Sequence, residues 1–277
     1  MPRASRSLRR NKRLLIGAAI VLPFIFVAAF GPLLPGVEPY ELDMRNSKQA
    51  PFQRGLKSIL GTDALGRDVL SRLIVGARIS LMVGFIATLG AATIGVILGM
   101  VAGLVGGRIE AAIMRATDVI MCYPFVVTAI IASALLSPGL RTILVVFIAF
   151  GWTGYCRVLH GVTLALKEEA YVEASRAIGG STWWVLWKHI LPNAASTIVV
   201  MATLQIRIMI LAEATLSFLG IGIQPPTPSW GVMISNGREY LTSAWWLSTM
   251  PGIALMLVVL GANLFGDGLN DHLEVRL

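Results

Sequence analysis

The sequence predicts an all-α membrane protein with six transmembrane helices. Hydrophobic residues make up 56% of the 277-residue chain, mean hydropathy is +0.74, and only 14% of residues are charged. Soluble domains carry about a quarter charged residues. The apolar residues also fall into six runs separated by polar segments, each near the roughly 20 residues that cross a bilayer core of about 30 Å. The net charge of +8 calls for no nucleic acid, because no basic, aromatic-interleaved module stands clear of the apolar runs. Retention of Lys and Arg on the cytoplasmic side accounts for it. Cys122 and Cys156 lie inside apolar runs, and His160, His189 and His272 are scattered. Neither a disulfide framework nor a metal-ligand spacing is present.

The elements follow in order. Residues 1–13 hold six Arg or Lys and no acid, a cytoplasmic basic tail. Residues 14–34 form the first transmembrane helix, interrupted by Pro23 and closed by Gly31-Pro32. The run is longer than a signal core and further spans follow, so it reads as an uncleaved helix. Residues 35–78 form an extracytoplasmic segment with Pro35, Pro39 and Pro51. At its end Leu70, Leu73, Ile74 and Ala77 repeat at helical spacing opposite Arg67, Asp68, Ser71 and Arg72. That pattern fits an interfacial helix or one packed on the protein's own core.

Residues 79–277 supply five more spans. The second, 79–105, carries Ala91, Gly95, Gly99, Gly103 and Gly107 every four residues, a stripe that lets another helix approach closely in lipid. A short charged loop, "GGRIEAAIMRATD", precedes the third span at 119–136, with a kink at Pro124. The fourth, fifth and sixth spans are 142–159, 194–221 and 247–265. Trp230, Trp245 and Trp246 are placed as interface anchors. The N-terminus and C-terminus both face the cytoplasm in this reading, because the basic tail adjoins the first span. The 35–78 segment, with seven basic and five acidic residues, runs against the charge rule, which binds long loops less.

The loop at 160–193 is a charged segment between two apolar spans. Glu168 and Glu169 stand where acids complement a helix N-terminus, and Gly179-Gly180 is a stop signal. Tyr171, Ala174 and Ile178 share a face, with Val172 at its edge. "STWWVLWKHILP" reads as a second short capped helix with its tryptophans at the membrane surface, and Pro192 marks the start of the fifth span. No nucleophile–base pair is present, and the loop reads as a docking element.

Glu173-Ala174-Ser175, Gly179 and Leu191-Pro192 match the loop signature of permease subunits of binding-protein-dependent ABC importers. Ser175 stands where alanine is usual, and His189 where isoleucine is usual. "LGTDALGRDVLSRLIVGARISL", "LAEATLSFLGIGIQPPTPSWGVMI" and "NLFGDGLNDHLEVRL" resemble the dipeptide/oligopeptide/nickel permease family, in its C-type subunit, over residues 58–277. The resemblance implies a type I ABC importer transmembrane-domain architecture in the bacterial inner membrane. It implies that Ala170, Tyr171, Val172, Glu173, Ala174, Ser175, Ala177 and Gly179, with Leu191 and Pro192, form a coupling helix and its contact with an ATPase. The expected partners are a second homologous permease subunit in a heterodimer, two ATP-binding subunits that hold ATP and Mg, and an extracytoplasmic substrate-binding protein. This chain has no G-x-x-x-x-G-K-[ST] phosphate loop. No cofactor and no catalysis are therefore expected on it.

Arg207 and Glu213 lie within the fifth span, where charged groups are costly and usually face a bundle interior or a watery cavity. They are candidates for the translocation path or a gate. The alternative is a structural ion pair or hydrogen bond. Six residues apart, they point about 120° away from each other and are poor partners. Peptides are the expected substrate, with nickel, glutathione-like and opine-like solutes as alternatives. An ion-coupled secondary transporter would show an inverted repeat, and none is evident. An intramembrane enzyme would need a nucleophile with its base. Ser217 has no nearby histidine in sequence.

Overall fold

The computed structural model describes residues 11–53, 55 and 58–274. Most of the expected basic tail, residues 1–10, lies outside the described residues. Among the described residues there is no strand, only an isolated bridge between Thr62 and Asp68. The helices are α1 (Lys12–Phe30), α2 (Val69–Val105), α3 (Gly107–Met121), α4 (Phe125–Leu136), α5 (Leu140–Lys167), α6 (Ala170–Ala177), α7 (Thr182–Val185), α8 (Leu191–Phe218), α9 (Trp230–Gly237) and α10 (Trp246–Glu274). Five stretches are long and apolar enough to cross a membrane: Lys12–Leu33, Val69–Val105, Leu140–Lys167, Thr182–Phe218 and Trp246–Leu273. The pair α3 and α4 makes a sixth if it is one bent span, with 84° between its halves.

That pair differs from the sequence expectation. The charged loop expected before the third span is helical, and α4 alone, with 12 residues, is about 18 Å long, short of a bilayer core. α3 meets α5 through Glu110, Thr117 and Asp118, while Arg108 and Arg115 are exposed. Glu110 meets His160 at 2.7 Å, Arg157 pairs with Asp118, and the Thr117 hydroxyl donates to the Cys156 sulfur at 3.6 Å. Those bonds let a charged stretch form a helix. The chain turns at Cys122–Pro124, where Pro124 adopts an extended conformation before α4.

The helix at 70–77 is not a separate interfacial helix. It is the start of α2, whose 37 residues run about 55 Å. Arg72 turns inward, buried, donating to the Pro39 carbonyl at 3.0 Å and lying 3.6 Å from Asp63. With that charge satisfied inside, the helix packs on its own core. Asp68 caps it, accepting from the Ser71 amide at 2.7 Å.

α2 and α5 lie backbone to backbone along the stripe of small residues. A Cβ on Gly95 would collide with the Trp152 carbonyl; on Gly99 it would fall 2.5 Å from the Cys156 carbonyl oxygen, and on Gly103 2.7 Å from the Thr163 Cβ. The stripe ends there: Gly107, at φ +59, begins α3 with nothing within 4 Å. Gly17, Gly261 and Gly268 allow the same close approach between α1 and α10.

Both described chain ends lie at one end of the bundle. Asn11 donates to the Gly268 carbonyl at 2.6 Å and Arg13 lies 3.5 Å from Asp271. α6 sits at this same end, among the last turns of α2 and α5 and the start of α8. The segments 35–53, 58–68 and 219–245 close the other end. There the Trp246 indole donates to the Thr62 carbonyl at 3.3 Å and the Trp230 indole to the Leu73 carbonyl at 3.2 Å. Trp230 and Trp246 are thus buried within the protein rather than anchored in the interface, because each indole N–H finds a backbone acceptor. Of the three, only Trp245 is exposed.

Gly99→Ala should destabilise the chain by about 1–3 kcal/mol through overpacking, read as a lower unfolding temperature in detergent. Gly154→Ala, inside α5 at a position with nothing within 4 Å, should not lower that temperature and should raise it slightly through helix propensity.

Candidate coupling surface

α6 has 8 residues, too few to persist alone, so packing must hold it. Val172 does so. Fully buried, it joins Met100 and Leu104 of α2, Leu159 of α5, Val185 of α7, and Leu186 and Ile190 in one cluster. Ser175, on the same side, is also buried. Ala170, Ala174 and Ala177 are exposed and fall on the face turned away from the bundle. Exposed Tyr171 and Ile178 flank this strip on one side and Glu173 on the other. Ile178, at 84% exposure, is the most accessible large hydrophobic residue among the described residues.

The C-terminus of α6 is closed by a glycine turn. Gly179 has φ +91, the Gly180 amide donates to the Ser175 carbonyl at 3.0 Å, and the Gly179 amide to the Arg176 carbonyl at 2.9 Å. This is the paired-bond cap that favours glycine in the left-handed position. A Cβ on Gly180 would meet the Ser175 carbonyl oxygen at 2.7 Å. Ser181 then caps α7, accepting from the Trp184 amide at 3.2 Å. His189 lies between two rings, 5.7 Å from Tyr171 and 5.1 Å from Trp184. These contacts hold α6 against the segment that follows it.

That segment does not stop at Pro192. A π-helical turn, Leu186–Ile190, joins α7 to α8, and Thr182–Phe218 forms one span. Pro192 lacks the amide that would bond residue 188. The wider turn just before it absorbs the mismatch, and the Asn193 side chain donates to the His189 carbonyl at 2.6 Å. Leu191 is half-buried against the Val172 cluster and Pro192 is exposed.

The two charged residues of α8 occupy different settings. Arg207 is half-buried, donating to the Asn263 amide oxygen of α10 at 2.7 Å, and its Nε is buried without a partner. It lines an open cavity of about 430 Å³ with Leu211, Met256 and Leu260. Glu213 is fully buried and accepts from Ser80 of α2 at 2.8 Å and Ser217 at 2.7 Å. The fold does not bring Arg207 and Glu213 together.

Residues 95–277 match the family of binding-protein-dependent transport system inner membrane components. The chain belongs to this family. Residues 2–51 match the N-terminal transmembrane domain of oligopeptide transport permease C. The dipeptide transport system permease protein DppC of Alkalihalophilus pseudofirmus is 38% identical over 274 residues, covering 99% of this chain and 89% of that protein. The DppC of Bacillus subtilis is 39% identical over 275 residues, 99% of this chain and 85% of its own. The glutathione transport system permease protein GsiD of Pectobacterium atrosepticum is 40% identical over 218 residues, 79% and 72% of the two chains. The protein is thus an inner-membrane component of a binding-protein-dependent transport system, and its described residues form five, or with the bent pair six, helical stretches long and apolar enough to cross a membrane.

Two serines bonded to Glu213 escaped sequence reasoning. Ser217, four residues on, was detectable as an i,i+4 partner. Ser80 comes from a distant element and leaves no local signal. The outward strip of α6 was also obscured, because Val172, the anchor, and Tyr171, on the outer side, are equally apolar.

Gly179→Val should loosen the turn by about 1–2 kcal/mol and raise trypsin cleavage after Arg176 by about 5- to 30-fold in detergent. Gly179→Asn, a residue that tolerates positive φ, should give a smaller rise. An unchanged rate in the valine variant would show that the turn imposes no constraint.

Proposed function

We propose that this chain is the C-type permease subunit of an ATP-driven importer and forms half of a translocation pore for dipeptides or oligopeptides. One observation carries the reading. A short helix is fixed to the bundle by Val172 and turns a strip of small residues, edged by Tyr171, Ile178 and Glu173, away from it. Small side chains let a partner surface come close to the backbone. A residue as apolar as Ile178, left at 84% exposure, suits a docking knob. The occupant is an ATP-binding subunit, which supplies the ATP and Mg that this chain has no phosphate loop to hold. The permease itself catalyses nothing. A second, homologous permease completes the pore, two ATP-binding subunits drive it, and a substrate-binding protein delivers cargo to the α9 end.

The peptide assignment is supported by the names of the relatives. They include dipeptide, di/tripeptide and D,D-dipeptide permeases, and glutathione, carried by another, is itself a tripeptide. Arg207, with one guanidinium nitrogen unpaired beside an open cavity, is assigned to the translocation path.

Purified under mild conditions, the chain should bring two ATP-binding subunits and a second permease. Reconstituted with its binding protein, it should take up a labelled dipeptide only with Mg-ATP. Uptake driven by an ion gradient without ATP would contradict the proposal, and uptake of nickel or an opine in place of peptide would correct its substrate. Arg207→Gln loses a charge-assisted bond of about 1.5–3 kcal/mol, so uptake should fall about tenfold or more. Assembly with normal uptake would remove Arg207 from the path.

A further inference from the structure

Glu213 is the most deeply buried ionisable residue among the described residues, and two serine hydroxyls bond it. Ser80 reaches Oε2 from α2 at 2.8 Å and Ser217 reaches Oε1 from within α8 at 2.7 Å. Each of these hydroxyl oxygens also accepts a backbone amide of the segment after α8. Ser217 takes Ile223 at 3.0 Å and Ser80 takes Trp230, the first residue of α9, at 3.4 Å.

The chemistry of a hydroxyl makes this arrangement directional. It has one proton to give and lone pairs to offer. When a lone pair is used by an amide, the proton still needs an acceptor, and burial leaves no water to serve. The Glu213 carboxyl group is that acceptor for both. Glu213 therefore sets the direction of two O–H bonds, and through them it holds the amides of Ile223 and Trp230. The cap sits directly on α8: a Cβ on Gly231 would lie 2.5 Å from the Ala214 carbonyl oxygen, and one on Gly222 would collide with the Ser217 hydroxyl.

The same helix reaches the opposite end of the bundle. Thr182–Phe218 is one span, which puts Glu213 roughly 45 Å from the α6 turn. We propose that Glu213 is a positioning residue for transport, the hub through which movement of α8, started at α6, is passed to the cap formed by residues 219–237. This rests on the importer reading. Glu213 then lies outside the translocation path; its partners are Ser80 of α2 and Ser217 of α8 in its own chain, and it reaches the start of α9 through Ser80. The hub supplies the physical link that coupling between distant sites requires.

The experiment uses the assembled complex in nanodiscs, with Mg-ATP and the loaded binding protein. Hydrogen exchange of residues 219–232 is compared between the resting and vanadate-trapped states. In the unmodified complex, exchange in this segment should change on trapping. Glu213→Gln keeps the shape but replaces an acceptor oxygen with a donor nitrogen. It should assemble and retain basal ATP hydrolysis, lose the trap-dependent change, and take up peptide at least about fivefold more slowly. Ser80→Ala, which removes one of the two arms, should shift the same readouts less and decides the matter if Glu213→Gln fails to assemble. A merely structural role would raise exchange equally in both states and preserve the difference on trapping, which would overturn the proposal. An unmodified complex that hydrolyses no ATP would instead sink the importer reading, and this proposal with it.

Discussion

The backbone contact between α2 and α5 is the constraint on which the rest of the molecule rests. In lipid, helices gain nothing by hiding apolar surface from water, so association depends on close packing. Gly95, Gly99 and Gly103 provide it by bringing α2 onto the Trp152 and Cys156 carbonyls and Thr163. The inner ends of the two helices are thereby held side by side. Met100, Leu104, Tyr155 and Leu159 meet there and form a seat. Val172 fills that seat, and a helix too short to exist alone becomes a fixed projection. A larger residue in the stripe would spread the seat and free the projection, although no contact of α6 itself had changed.

The second consequence concerns force. Val185, Leu186 and Ile190 share the cluster with Val172, so α6 cannot shift without carrying the start of α8. The π turn at Leu186–Ile190 keeps the helix continuous across Pro192. α8 can therefore act as a single rod from the inner surface to the outer cap. The inner end of this rod packs beside α6, its middle carries Arg207, and its outer end carries Glu213. The proposed coupling of an inner motor to an outer gate requires an element that spans the bundle in this way.

Much of this could be read from the chain before the structure. The apolar runs gave the all-helical membrane class, and the glycine stop at Gly179-Gly180 marked the end of α6. The stripe of small residues was visible up to Gly103. The remainder was hidden for physical reasons. The α3 segment reads as a loop because its charges are satisfied only by Arg157 and His160 on α5, about 40 to 50 residues away. Arg72 reads as a solvated residue because its acceptor, the Pro39 carbonyl, belongs to an irregular segment. Pro192 reads as a boundary because a π turn leaves no mark in composition. The role of Glu213 depends on hydroxyls from two separate helices, α2 and α8, and sequence spacing can reveal only Ser217.

The central claim, that α6 is the surface gripped by an ATP-binding partner, is tested most directly by crosslinking. With Ile178→Cys in the assembled complex, a short bifunctional reagent should join this chain to the ATP-binding subunit, with a yield that changes when nucleotide is bound. A cysteine at Leu241, exposed at the opposite end, should give no such product. Failure of Ile178→Cys to crosslink in a complex that still transports, or its labelling by an impermeant reagent from outside the cell, would contradict the account.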